Sequence, residues 1–179
     1  MKKPKTMKLI VLPFLLIVFS CNAQTIVPDQ SINANFEFEL EKYLGTWYEI
    51  ARFDHSFERN LQEVTATYSI REDGKIKVVN QGVKNGKLKT AIGKARPQPN
   101  GTLRNLEVSF FWSFYAPYNI LELDENYQYV LIGSNSPNYL WILSRTPQLD
   151  KTIFDLLIQM AEQRGYDTSK LIMVEQKDE

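Results

Sequence analysis

The chain has 179 residues, with 21 Lys and Arg against 21 Asp and Glu, one His and one Cys. A charge balance this even carries no basic footprint for nucleic acid, and a single Cys excludes an intramolecular disulfide. The length suits one domain with a substantial core behind an N-terminal leader.

Lys2, Lys3, Lys5 and Lys8 precede an apolar run from Leu9 to Phe19. That run is too short to span a bilayer, which takes roughly 17–25 residues. It ends at Val18-Phe19-Ser20-Cys21, which resembles a bacterial lipobox: a β-branched residue three before the Cys and a small one just before it. Residues 1–20 therefore read as a lipoprotein signal peptide. Cleavage before Cys21 would leave its thiol diacylated and its freed amine acylated, and several acyl chains anchor where one holds only marginally. Asn22, rather than Asp, points to delivery to the outer membrane of a Gram-negative bacterium. Cleavage also removes four lysines and no acid, so 21 and 21 become 17 and 21, a net charge of −4. Residues 21–35 read as the lipidated N-terminus and a polar tether, and residues 36–179 as the folded domain.

Phe36 to Leu44 reads as a short, partly helical approach. Strands follow at close spacing with turn residues between them, the pattern of an all-β barrel or sandwich. Trp47 to Phe53 is the first, and Val64 to Arg71 the second. Glu72-Asp73-Gly74 turns the chain into Lys75 to Val83, and Asn85-Gly86 makes the next hairpin, leading into Lys87 to Ala95. Pro97-Gln98-Pro99-Asn100-Gly101 is a longer loop. Leu106, Val108, Phe110 and Trp112 alternate with Glu107 and Ser109 and predict a strand with one buried and one wetter face. Tyr118 to Leu123, Tyr127 to Ser134 and Tyr139 to Ser144 complete eight. Then Ile153, Leu156, Leu157 and Met160 recur at helical spacing, with Asp150 as cap and Gly165 as stop. A short strand at Leu171 to Val174 ends the pattern. Eight antiparallel strands closed on themselves enclose room for one small ligand.

Gly45-Thr46-Trp47-Tyr48, Leu123-Asp124-Glu125-Asn126-Tyr127 and Leu143-Ser144-Arg145 occur in that order, and together they resemble the three signature segments of the lipocalin family. Leu123 stands where Thr is usual. From about Tyr43 to Glu175 the chain is similar to the bacterial outer-membrane lipocalins and their eukaryotic relative, apolipoprotein D. The resemblance implies an eight-stranded antiparallel up-and-down barrel with a C-terminal helix and a short ninth strand. It also implies that Gly45, Trp47 and Arg145 close the barrel, an Arg over an indole being worth roughly 0.5–2 kcal/mol.

Tyr68, Phe110, Trp112, Tyr115, Tyr118, Tyr139 and Trp141 cluster on strands or strand ends. By the resemblance, Tyr68, Asn80 and Trp141 line the pocket, and Tyr115 lies near the ligand with Trp141. The expected ligand residues are thus Tyr68, Asn80, Phe110, Tyr115 and Trp141. The expected ligand is a fatty acid or lysophospholipid, and the expected membrane attachment is through Cys21. Tyr and Trp offer an amphiphile both apolar area and a polar handle. The resemblance allows a homodimer, which no feature of this sequence demands.

His55 has no partner Cys or second His at ligand spacing, so neither a metal site nor a cofactor is expected, and it should hydrogen-bond within its loop. Asp54 and Glu58, flanked by Arg52 and Arg59, read as ion pairs rather than catalytic carboxylates. No nucleophile motif or phosphate loop appears, so no catalytic residue is expected. Two other readings stay open: a lipocalin-fold enzyme acting on a lipid or isoprenoid, which needs a buried acid or base, and a structural lipoprotein with a filled barrel.

Overall fold

Alternation of apolar and polar residues turns most of the chain into strand. The computed structural model describes residues 37–99 and 101–177. The expected signal peptide, Cys21 and the tether lie outside the described residues. A single turn, α1 (Leu40–Tyr43), leads into β1 (Gly45–Phe53), β2 (Gln62–Ile70), β3 (Ile76–Lys84), β4 (Lys87–Pro97), β5 (Asn105–Phe111), β6 (Phe114–Leu123), β7 (Tyr129–Gly133) and β8 (Leu140–Ser144). Each strand pairs antiparallel with the next, and β1 pairs with both β2 and β8, so the sheet closes into a barrel. Helix α2 (Lys151–Gln163) follows, and β9 (Leu171–Met173) joins β1 along Ala51–Phe53. This is the expected up-and-down barrel with its helix and ninth strand.

Four hairpins (β1–β2, β3–β4, β5–β6 and β7–β8) form one end, the mouth. The other end, the floor, holds α1 and the start of β1. Asn85 and Gly86 turn the β3–β4 hairpin at φ 54° and 70°, the left-handed geometry a two-residue primed turn needs.

Four details differ from the strands read in sequence. Trp112, expected on a buried face, stands at φ 47° in the β5–β6 turn and is 83% exposed. β6 starts at Phe114 rather than Tyr118, and β4 runs on to Pro97. Tyr127 sits in a turn at φ 58°, before β7. Runs of aromatic residues hide strand ends because they suit a strand face and a hairpin tip alike.

Two cores result. Inside the barrel Trp47, Tyr68, Val78, Leu106, Ile120, Val130 and Leu143 pack together, with Trp141 against them. Outside it, Leu157 and Ala161 of α2 bury completely against Ile50, Ala51, Leu131 and Ile142. Asp150 caps α2 by accepting from Thr152 N at 2.8 Å and Ile153 N at 3.4 Å. Gly165, at φ 84°, ends it, and Tyr166 N donates back to Ala161 O at 3.1 Å, the wrap expected of a left-handed C-terminus.

Bulges decide which side chains face inward. Between Glu49 and Ala51, β1 advances two residues for one on β8, which inverts its alternation beyond that point. A similar shift between Ile120 and Glu122 on β6 leaves Ile120 and Leu123 inside while Leu121 faces α2.

Candidate functional site

The floor is built around Arg145. Its guanidinium carbon lies 3.8 Å from the centre of the Trp47 ring. The same group donates to the carbonyls of Lys42 at 2.7 Å, Leu44 at 2.9 Å and Thr46 at 2.9 Å, and its Nε donates to Tyr127 O at 3.2 Å. These carbonyls include those left unpaired at the end of α1, where a cation is favoured. Gly45, at φ 93°, brings β1 under this fork, and a Cβ there would stand 3.4 Å from Arg145 Nη1. Asp124 holds the second motif by accepting from Asn126 N and Gln128 N, both at 3.1 Å. The Tyr127 hydroxyl accepts from Glu39 N at 2.8 Å. All three signature segments therefore meet at one closed end. A shallow depression there, lined by Lys42, Asn126, Gln128 and Arg145, lies outside the barrel.

Above the floor, Tyr43 and Tyr68 both hydrogen-bond the Tyr118 hydroxyl, at 2.6 and 2.9 Å. Burial pushes all three phenols above the ordinary tyrosine range. The Tyr68 hydroxyl is thus engaged with Tyr118, and its ring packs at the bottom of the interior.

Toward the mouth, the β1 bulge turns both Glu49 and Arg52 inward, three residues apart. Arg52 Nη1 donates to Glu49 Oε1 at 2.5 Å, and Nη2 donates to Glu58 O at 2.8 Å. Glu58 Oε2 lies 4.0 Å from Arg52 Nε and accepts from Trp141 Nε1 at 3.1 Å. Two buried carboxyl groups share one guanidinium. Burial, then the neighbouring Glu58, raise the Glu49 carboxyl to about 8. Burial also pushes Glu58 up, while Trp141 and Arg52 pull it down. Of the carboxylates flanked by Arg52 and Arg59, Asp54 makes the solvated pair, with Arg59 at 2.9 Å, and Glu58 the buried one. Glu122 points outward and pairs with Arg164 under the helix.

The expected ligand residues do not form one patch. Trp141 walls the interior above the floor, its ring 4.7 Å from that of His55. Asn80 shares a β3 face with the buried Ile76 and Val78. Its Oδ1 is buried, and no donor among the described residues reaches it. Phe110 lies over Gly93, where a Cβ would come 2.8 Å from its ring. Tyr115 lies apart, its ring under Arg96 at 4.1 Å and Lys94 at 5.5 Å. His55 does hydrogen-bond within its loop, but through the backbone, its carbonyl accepting from Glu58 N at 3.0 Å. Its Nε2 has no hydrogen-bond partner among the described residues, and the ring stacks between Phe57 at 5.2 Å and Tyr139 at 4.9 Å. Burial, then Arg52, hold its pKa below the ordinary histidine value. Among the described residues no group of three or more His, Cys, Asp or Glu is arranged to hold a metal.

Sequence reasoning missed the Glu49–Arg52–Glu58 group as an interior site. Residues three apart on a regular strand face opposite sides, and only the bulge brings Glu49 and Arg52 together.

A closed antiparallel barrel with a sealed floor, a helix packed outside it and a ninth strand on β1 is the lipocalin architecture. The lipocalin-like domain family matches residues 38–176, and the chain belongs to the lipocalin family. It is 48% identical over 151 residues to the outer membrane lipoprotein Blc of Vibrio cholerae, covering 83% of this chain and 88% of that protein. Apolipoprotein D of Macaca fascicularis is 35% identical over 149 residues, covering 79% of this chain and 78% of its own. Among solved structures, lobster apocrustacyanin A1 superposes with a TM-score of 0.64 at 24% identity, over 77% of this chain and 79% of that one. That last likeness is one of fold.

Proposed function

We propose that this lipocalin is a carrier, anchored at the outer membrane through acylated Cys21, which takes up a fatty acid or lysophospholipid by reversible encapsulation. The apolar tail lies inside the barrel and the headgroup near the mouth. Asn80 carries the reading. A buried acceptor with no partner costs roughly 1–3 kcal/mol, and a ligand hydroxyl reaching Asn80 Oδ1 would recover that cost. The Glu49–Arg52–Glu58 group supports the orientation, because Glu58 already balances Arg52 and burial holds Glu49 protonated near neutral pH, so no unpaired cation there draws an anionic headgroup deep into the barrel. Burying a sixteen-carbon chain yields roughly 12 kcal/mol gross, and association and ordering costs remove much of it. Micromolar binding then needs no special polar site. The outer membrane lipoprotein relatives support the location.

An enzyme acting on a lipid or isoprenoid would use a buried acid, and Glu49 is one. Its contact with Arg52 favours a structural role, so Glu49→Gln should leave bound ligand chemically unchanged.

Native mass spectrometry of the chain from Asn22 onward, before and after organic extraction, tests the carrier. A removable mass matching a fatty acid or lysophospholipid, lost on Trp141→Ala, is expected. A chain that carries no such mass and refuses added lysophospholipid would overturn the reading.

A further inference from the structure

The mouth exposes apolar surface that neither core uses. Phe111, Trp112 and Phe114, at the tip of the β5–β6 hairpin, are 72%, 83% and 75% exposed. The Phe111 and Phe114 rings stack on one another, with centroids 6.3 Å apart. Phe57 in the β1–β2 loop is also exposed, as are Leu88 and Ile92 on β4, the strand beside β5. Apolar residues scattered singly over a surface need no explanation, but three exposed aromatics side by side at one hairpin tip do. That end also carries Lys84, Lys87 and Lys89 on the β3–β4 hairpin. Lys84 Nζ donates to the Arg59 carbonyl at 2.9 Å, and no salt bridge among the described residues takes any of the three lysines.

We propose that the barrel mouth is a membrane-docking face: Trp112 and Phe114 enter the interfacial layer of a bilayer, and Lys87 and Lys89 meet anionic headgroups. Trp and Phe beside Lys suit that boundary, where one side is apolar and the other wet. Cargo would then pass between bilayer and barrel without crossing bulk water. A second copy fits this face less well, since a two-fold contact through it would set the lysines of both copies against each other. The chain also has the reach. Residues 22–36 number fifteen and extend to at most about 50 Å. An eleven-residue strand such as β4 is about 36 Å long. A tether joined at the floor can therefore pass the barrel and leave its mouth against the membrane that holds the anchor.

The inference deepens the carrier reading, and its test is independent of cargo. The chain from Asn22 onward contains every described residue and bears no acyl group, so vesicle binding by it comes from the protein surface. Co-sedimentation is measured with vesicles of phosphatidylglycerol mixed with phosphatidylcholine, and of phosphatidylcholine alone. Trp112→Ser with Phe114→Ser should lower binding to the mixed vesicles by about tenfold or more, while Trp112→Phe with Phe114→Trp retains it. Lys87→Ser with Lys89→Ser should lower binding by about tenfold on the mixed vesicles and leave phosphatidylcholine binding unchanged. Equal binding by the wild-type and Trp112→Ser/Phe114→Ser chains, or no binding by the wild type to either vesicle, overturns the proposal. So does a dimer that Trp112→Ser/Phe114→Ser abolishes in a chain that ignores vesicles. Because Trp112 stands in the hairpin turn and on no strand face, lysophospholipid uptake in solution by Trp112→Ser alone should match the wild type. A chain that binds vesicles yet takes no lysophospholipid would leave docking standing and overturn the carrier reading alone.

Discussion

Arg145 lies over the Trp47 ring, 3.8 Å from guanidinium carbon to ring centre, and the same fork donates to the carbonyls of Lys42, Tyr43, Leu44 and Thr46. One side chain from the end of β8 thus joins the start of β1, the end of α1 and, through Tyr127, the β6–β7 turn. Arg145→Ala removes the stacked cation and orphans several carbonyls. The expected loss is about 3 kcal/mol, a fall in Tm on the order of 6–12 °C. Arg145→Lys should recover little, because an ammonium cannot serve divergent acceptors from one plane. Thermal unfolding followed by circular dichroism checks both, and a lysine variant as stable as wild type would contradict the closure argument.

Glu49 makes stability depend on pH in an unusual direction. Its carboxyl titrates near 4.5 when unperturbed and at about 8 in the fold. Between those values the folded state binds more protons than the unfolded state, so stability falls as pH rises. The difference in Tm between Glu49→Gln and wild type should therefore shift in favour of the variant from pH 5 to pH 8. A difference that does not vary with pH would refute the assignment. Glu58→Gln removes a neighbouring negative charge and should lower the Glu49 pKa, as followed by carboxyl NMR titration.

Tyr118 joins two phenols that are otherwise far apart in sequence. Tyr118→Phe keeps the ring and leaves the buried Tyr43 and Tyr68 hydroxyls without that partner, at a cost of roughly 1–3 kcal/mol. Urea unfolding should show a lower midpoint with an unchanged m-value. An unchanged midpoint would mean that the two hydroxyls find other partners.

Asn80 trades stability for binding. Asn80→Leu should raise stability by about 1 kcal/mol, because an unpartnered buried acceptor is replaced by apolar atoms, and weaken lysophospholipid binding by about tenfold. Chemical denaturation and a lysophospholipid titration measure the two effects separately. Weaker binding without the stability gain would show that Asn80 is paired in the empty barrel.

The barrel was legible in the sequence because its signals are local. Period-two alternation, the Asn85-Gly86 turn, the Asp150 cap and the Gly165 stop each act within a few residues. Gly45, Trp47, Asp124, Tyr127 and Arg145 were legible as motifs, though their meeting at one floor depends on contacts about a hundred residues apart. Trp112 was misread because the end of an alternating run and the tip of a hairpin look alike when both are aromatic.

What the sequence by itself determined, then, is the order of strands, the helix and the residues that seal the floor, since backbone periodicity and turn chemistry are short-range. The tertiary structure alone decided what faces inward. A bulge at Glu49–Ala51 inverts the alternation and buries Arg52 beside two carboxylates, a second at Ile120–Glu122 sends Glu122 outward to Arg164, and pairing between strands sets Tyr115 beneath Arg96. A one-residue slip in register moves every later side chain to the other face. No local pattern records it, so the chemistry of the interior appears only once the strands are paired.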